Sequence, residues 1–380
     1  MTLLGTRLTI LAGSGVPLPL PASALAALDS IEISSGTSER SGLQAQFKAG
    51  RGSSLAELAD YPIMNQAGLK TGARFVVMLT LGVVPQVLFD GIVTQSQLSP
   101  GQGQGDGTLA VSAEDIRVKM DQVERDESYP GMPVAAIAAV IMARYAAYGL
   151  VPTIIPPPVA EVPLPIDRVT TQSGTDLAFL NQLAETVDYV FTITPGPALL
   201  MNVGYFGPQP RLGVPQSALT INMGPDTNVS TINFQLNAAD AHQVTGEVQD
   251  RTTNTSVPVR STVPLRVPLA TEPAILNSET AGERRYRAGG ARSAAAAMAE
   301  AQASADRSTD VLTAEGDLDG SRYGKILQPR QLVGVRGAGR AHDGFYFVEE
   351  VKHMLKRGEY KQHFKLTREG TGTTTPLVRP

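Results

Sequence analysis

Short runs of β-branched and aromatic residues, each closed by glycine, serine or proline, recur from one end of this 380-residue chain to the other. Nothing else in the sequence constrains the fold as tightly. Such a run suits a pleated, half-buried surface, while glycine and proline end regular backbone on either side of it. The 37 glycines and 27 prolines are spread along the chain, and that punctuation favours an all-β or β-rich α+β architecture. Length alone asks for two or more domains, because one hydrophobic core stops growing well short of 380 residues.

The opening hundred residues predict strands over 31–34, 43–48, 75–81, 87–95 and 107–113. Leu43, Ala45 and Phe47 alternate with polar partners, the period of a half-buried strand. The glycine-rich stretch 101–107 reads as an exposed hairpin tip. A phosphate-cradling loop must feed a helix N-terminus, and here a strand follows.

Beyond Asp115 the pattern changes. Pro133 and Gly149 bracket an alanine-rich stretch, which predicts a helix over 132–148. The prolines of 152–165 require an extended segment, either a stiff connector or a ligand for a proline-reading module. A second helix follows. Ser173 stands three residues ahead of Asp176 as a capping box, and Leu177, Leu180, Leu183, Ala184 and Val187 form one apolar stripe. Strands over 189–194 and 198–203 then turn at Pro195 and Gly196.

Strands return from 232 to 260, with 244–249 paired to 255–260. Residues 261–288 read as irregular, and 291–305 as an alanine-dominated helix packed closely on another backbone. Strands resume over 311–316, 332–336, 344–352 and 360–367, and the last ten residues read as a frayed tail. The order is strands, a helical middle, then strands: two β units around an α+β insert.

With no cysteine in the chain, disulfides, thiolate metal sites and a cysteine nucleophile are excluded. Pro17, Pro19 and Pro21 interrupt the apolar stretches of the first thirty residues, so no signal peptide is expected. The apolar stretch 134–147 is too short to span a bilayer and carries Arg144. The net charge of −4 hides an asymmetry: residues 1–280 hold 15 basic against 24 acidic side chains, and 281–380 hold 17 against 12. The basic residues are interleaved with acids and lack an aromatic stacking pattern. A solvated face or protein interface is expected there, not specific nucleic-acid binding.

No catalytic constellation emerges. Of His242, His342, His353 and His363, only the last two lie on neighbouring strands, and no third ligand stands at metal spacing. The pairs Glu114 with Asp115 and Glu349 with Glu350 are strand neighbours pointing to opposite faces, unable to act together as acid and base. No Gly-x-Ser-x-Gly elbow is present. Gly334, Gly337 and Gly339 lie between two strands and read as a hairpin turn, not a dinucleotide loop. Arg284, Arg285 and Arg287 read as a solvated loop or as a grip on an acidic partner. Asn228 and Asn254 head glycosylation sequons by pattern only. No catalytic residue, metal site or cofactor is therefore expected, and the chain is not expected to be an enzyme.

Three stretches resemble the phage late control protein D family, which includes the baseplate hub of contractile phages and the hub half of the type VI secretion spike protein. The first carries Phe89, Gly91 and Val93 and leads to a strand ending in Asp115. The second carries Gly149, then Gln172, Asp176, Phe179, Leu180 and Leu183. The third carries Gly344 and Val348, followed by His353 and the stretch 360–368. Together they cover most of 75–370.

The resemblance implies an α+β, β-rich fold of two tube-protein-like β-barrels with an inserted helix-containing α+β region. The first barrel would occupy 1–118 and the insert 119–235. The second barrel, with an inserted loop and the alanine-rich helix, would occupy 236–370, and 371–380 would be a tail. It further implies a structural baseplate hub: a homotrimer whose pseudo-six-fold ring joins the inner tail tube protein to a central spike protein among baseplate wedge proteins. The family's usual spike appendage has no room here, so the spike would be a separate chain. Such a hub sits in a virion tail or an extracellular phage-tail-like particle and is assembled in the bacterial cytoplasm. Two competing readings stand beside it. A tail-associated peptidoglycan hydrolase would need carboxylates converging from distant strands. A receptor- or carbohydrate-binding tail protein would use the ten tyrosines and ten phenylalanines, though tryptophan is absent.

Overall fold

A computed structural model describes residues 7–37, 40–50, 61–101, 107–158, 169–250, 254–261, 263–277, 279, 281–287, 294–375 and 378. The centre of the glycine-rich loop at 102–106, most of the proline-rich connector (159–168), the turn at 251–253 and residues 291–293 lie outside them.

The first β unit comprises β1 (Arg7–Gly13), β2 (Leu18–Pro19), α1 (Ala22–Ala27), β3 (Leu28–Gly36), β4 (Gly42–Ala49), β5 (Arg74–Leu81), β6 (Val84–Ser99) and β7 (Gly107–Asp115). Its strands run in the order β3-β4-β7-β6-β5-β1-β2, all antiparallel. Alternation makes the core: Leu43, Ala45 and Phe47 of β4 point in, while Gln44, Gln46 and Lys48 point out. Phe47 meets Ile31, Ile33, Phe75, Phe89 and Leu109 there. Each such burial is worth about 1.5–3 kcal/mol.

The insert follows, with α2 (Arg117–Met120), β8 (Glu124–Tyr129), α3 (Val134–Ala143), β9 (Leu150–Ile154), β10 (Thr170–Thr175), α4 (Asp176–Thr186), β11 (Tyr189–Pro195) and β12 (Asn202–Pro208). β8 pairs with β10, and β12 lies between β11 and β9. The helices supply Ile137, Ile141, Leu177, Leu180 and Leu183 to a core closed by Phe191 and Phe206. Three local expectations are corrected. α3 ends at Ala143, because 146–148 tighten into a 3-10 turn that closes on Gly149 at φ +79°. The cap of α4 is Thr175, whose hydroxyl accepts the Ala178 N–H at 3.2 Å, while Ser173 is held in β10 opposite Asp126. β12 begins at Asn202, not 198. Leu200 at φ +64° and the Gly196 N–H bonded to the Met201 carbonyl (2.7 Å) turn the intervening chain.

The second β unit opens with β13 (Gln216–Thr220) and β14 (Val229–Leu236). An excursion with its own small core comes next: β15 (His242–Gln249), β16 (Ser256–Ser261), β17 (Glu272–Pro273), β18 (Gly282–Arg285) and α5 (Ala294–Arg307). β15 and β16 pair as expected, and Ala297, Ala301 and Ala305 seat α5 against the sheet β16-β15-β18. The described residues of 261–288 are thus less irregular than expected. The unit closes with β19 (Leu312–Asp319), α6 (Gly320–Tyr323), β20 (Leu332–Arg336), β21 (Gly344–Lys356), β22 (Glu359–Arg368) and β23 (Gly370–Thr371). Its sheet order is β14-β19-β22-β21-β20-β13, so the boundary expected at 235 falls inside a hydrogen-bonded sheet. Asn228 links the sheet's two ends, accepting the Thr220 N–H (2.8 Å) and donating to the Ala218 carbonyl (3.0 Å). Residues 370–375 do not fray: β23 pairs with β17, and the Gly372 N–H reaches the Ala341 carbonyl.

The far half of β21 pairs antiparallel with β3, which fuses both units into one 13-stranded sheet. Leu355 and Tyr360, at the tip of the β21–β22 hairpin, enter the first unit's core.

The two units repeat each other strand by strand. The ladder β3-β4-β7-β6-β5 and the ladder β14-β19-β22-β21-β20 have the same order and the same antiparallel sense. Two of their irregularities coincide as well. The register shift between Leu28 and Ser30, opposite Phe47 and Gln46, matches the one between Val229 and Thr231, opposite Leu318 and Asp317. The shift between Val93 and Gln95 matches the one between Val348 and Glu350. Bulges of this kind are specific features of a strand pair, so coincident bulges fix the equivalence residue by residue.

Candidate functional site: a polar sheet face and two free edges

Successive strand residues point to opposite faces, so once one face fills the cores the other is set. Across β14, β19, β22, β21, β3, β4, β7 and β6 that second face is polar. One transverse row reads Asp319, Lys361, Met354, Glu32, Gln44, Ser112 and Gln95. Two rows further along, another begins Asn233, Glu315, Lys365 and Glu350. At the usual strand spacing eight strands span about 35 Å. Its charges are largely paired: Lys352 with Glu32 (2.7 Å), Lys365 with Glu349 (3.2 Å) and Lys361 with Glu359 (2.6 Å), while Asp317 lies in hydrogen-bond contact with the His363 ring (3.0 Å). Exposed pairs like these add little stability. They do leave a broad hydrophilic surface that tolerates water along its whole width.

This face assembles no acid–base pair. Glu114 on β7 and Glu350 on β21 are separated by β3 and β4, about 14 Å at normal strand spacing, and Glu114 binds Arg40 at 2.9 Å. Asp115 is buried, accepting the Ser41 N–H (2.8 Å) and the Arg117 guanidinium (2.7 Å). A bulge at Glu349 breaks the alternation expected of Glu349 and Glu350, yet Glu349 is engaged by Lys365. His353 and His363 turn to opposite faces. His353 is buried with Nδ1 3.0 Å from the Tyr360 hydroxyl, and burial pushes its pKa down to about 4. Among the described residues no three His, Asp or Glu side chains gather as a metal site. An open groove of about 720 Å³ beside β13, lined by Thr220, Asp226, Asn228, Arg322, Tyr323 and Arg336, holds a single carboxylate and so no carboxylate pair either.

The remaining motif residues are supports. Phe89 and Val93 lie in the first core, and a Cβ at Gly91 would run into the Glu114 carbonyl oxygen and the Phe89 ring. A Cβ at Gly149 would meet the Leu200 carbonyl oxygen. Gln172 accepts from the Tyr129 hydroxyl (2.9 Å) and donates to Asp176 (2.8 Å). Asp176, fully enclosed, also receives Arg144 (3.2 Å) and the Tyr145 hydroxyl (2.8 Å). Phe179 stacks on Tyr129, and Leu180 and Leu183 pack in the insert core. Gly344, at φ +128°, lies against the Arg368 guanidinium, which covers the Tyr346 ring, and Val348 sits in the second core.

Sequence reasoning missed the charged clamps between units. Arg74 forks onto Asp90 at 2.7 Å and donates to the Leu200 carbonyl at 2.9 Å, tying the first unit to the insert. Arg211 and Arg266 both hold Asp310, while Arg266 reaches Asp188 (2.7 Å) and Arg211 reaches Glu369 (3.4 Å). No local signal announces partners so far apart in sequence.

Two edges of the polar sheet are free. Among the described residues, no strand pairs with β14 on the side away from β19, and none pairs with the 94–99 stretch of β6 on the side away from β7. No helix among the described residues is long and apolar enough to cross a membrane.

No known family profile and no curated protein matches the sequence. Solved structures do. The tail protein from Neisseria meningitidis MC58 matches at a TM-score of 0.64 and 14% identity, covering 97% of this chain and 98% of that one. The 43 kDa tail protein of prophage MuSo2 from Shewanella oneidensis matches at 0.64 and 14%, covering 95% and 98%. This chain has a phage tail-protein fold. The E. coli c3393 protein shares that fold at a TM-score of 0.55 and 12% identity, covering 93% of this chain and 77% of that one. It is described as a component of the type VI secretion system with structural similarity to the T4 tail proteins gp27 and gp5. The α+β, β-rich architecture expected from the sequence is the one observed.

Proposed function

We propose that the chain is a structural baseplate hub, three copies of which form a pseudo-six-fold ring joining the inner tail tube to a three-fold central spike. One observation carries this reading: two β units with the same strand ladder are fused edge to edge through β3 and β21, and among the described residues the equivalent outer edges are left unpaired. Three copies of a two-unit chain offer six similar units to a six-fold tube and three chains to a spike. The joint must be head-to-tail, since only heterologous contacts close a ring larger than a dimer. The tail-protein fold supports the setting, and the resemblance to the late control protein D family supports the number three. The polar face, hydrophilic across both units, suits the wall of a water-filled channel.

In this reading the chain works in a tail or tail-like particle assembled in the bacterial cytoplasm, beside wedge proteins, and performs no catalysis. Mixing the purified protein with candidate tube and spike proteins from the same genome tests the assignment. A complex holding all three is expected. Peptidoglycan hydrolysis by the purified protein, abolished by Glu114→Gln, Glu349→Gln or Glu350→Gln, would overturn it in favour of a hydrolase.

A further inference from the structure

Within one chain, β21 and β3 already show how two such units meet. Val351 lies opposite Ser35, Lys352 opposite Ser34, His353 opposite Ile33 and Met354 opposite Glu32. The coincident bulges allow that register to be carried over to the free edges. Matching Val93 with Val348 and Gln95 with Glu350 places Ser96, Gln97, Leu98 and Ser99 on Val351, Lys352, His353 and Met354. Matching Val229 with Leu28 and Thr231 with Ser30 places Asn233, Phe234, Gln235 and Leu236 on Glu32, Ile33, Ser34 and Ser35. The two assignments are independent, and they agree through the strands between. Carried across β4 and β19, Gln44 falls on Glu315. Carried on to β7 and β22, Ser112 falls on Lys365, which is where the matching of β6 with β21 also puts it.

We infer that the 96–99 stretch of β6 pairs antiparallel with β14 of a neighbouring copy, with Ser96 opposite Leu236, Gln97 opposite Gln235, Leu98 opposite Phe234 and Ser99 opposite Asn233. This rests on the ring proposed above and names the surfaces that close it. The chemistry of the two edges agrees. Leu98 and Phe234 meet on the core side, while Gln97 meets Gln235 and Ser99 meets Asn233 on the polar side, so both faces continue unbroken from copy to copy.

Burial points the same way. In the filled junction Ile33, Val351 and His353 are almost fully enclosed, whereas at the open edge Leu236 is 47% exposed and Phe234 and Leu98 are half-buried. Edge strands that must stay alone are guarded by charge or proline. The sequence of β14, Val-Ser-Thr-Ile-Asn-Phe-Gln-Leu, has neither, and 95–99 is also uncharged. The edges cannot meet within one chain, because seven strand intervals part them, about 34 Å.

The absence of native cysteine makes the test direct, since any disulfide formed is an introduced one. Two adjacent pairs, Gln97→Cys with Gln235→Cys and Leu98→Cys with Phe234→Cys, sample both hydrogen-bonded and non-hydrogen-bonded positions of the ladder. Mild oxidation of at least one is expected to give reductant-sensitive covalent dimers and trimers on a denaturing gel. The slipped pair Gln95→Cys with Gln235→Cys displaces the Cβ atoms by about 7 Å and is expected to give at least ten-fold less product. The mass of each variant before oxidation is measured in parallel. A three-copy assembly in which neither pair cross-links, or in which the slipped pair cross-links as well, overturns this register and leaves the hub reading standing. A chain that remains a monomer overturns both.

Discussion

Asp115 ends β7 inside the protein, where its carboxylate holds the Ser41 N–H and the enclosed Arg117 guanidinium. Arg330 is buried near them, donating to the Gly36 carbonyl at 2.8 Å; burial and the like charge of Arg117 push its pKa down to about 10. Asp115 is thus the counter-ion for a pair of desolvated cations. Asp115→Asn keeps the shape and removes the charge, and it is expected to cost about 3–5 kcal/mol, read as a lower urea midpoint with an unchanged m-value. His353 gives a pH signature. Its folded pKa of about 4 lies below the value of about 6.5 in the unfolded chain. Between those pH values the unfolded chain binds a proton that the folded chain refuses, so stability falls as pH drops through the window, by up to about 3 kcal/mol. His353→Leu should reduce the difference in unfolding free energy between pH 7 and pH 4.5; an unchanged difference would show that His353 is not the group responsible. The sequence placed His353 on a strand but left open which way it faced. The face depends on the β21 register, which Tyr360 and Gln362 of another strand set.

At the scale of elements, alternation and punctuation carried most of the information. Leu43, Ala45 and Phe47 read correctly as the inward side of β4, and the leucine stripe of α4 reads correctly as its buried side. Errors arose where two local signals competed. Ser173 and Thr175 both precede Asp176, and only the pairing of β10 with β8 decides that the chain is still extended at Ser173. Thr175→Ala should therefore lower stability by about 1 kcal/mol, while Ser173→Ala, with no cap to lose, should leave the melting temperature nearly unchanged. Equal effects would return the cap to Ser173. Strands β13 and β14 escaped assignment to the second unit because they pair with β20 and β19, about a hundred positions away. Nothing local to 216–236 specifies those partners.

At the scale of the molecule, the repeat of the two units is a property of register, not of residue identity. Val93 and Val348 coincide, but Gly91 falls on Tyr346 and Gln97 on Lys352, so the equivalence emerges only once the ladders are known. The clamps at Asp90 and Asp310 hold the insert and the excursion against the two units. Among the described residues they leave the polar face and its two edges uncovered. The ring proposed above rests on that geometry, and the mass of the assembly in native conditions tests it most directly. Three 40.1-kDa chains should travel together at about 120 kDa, and shaving the edge with Leu236→Lys and Phe234→Lys should return them to single chains. A lone 40-kDa species from the unaltered protein, at every concentration that can be reached, would contradict the account.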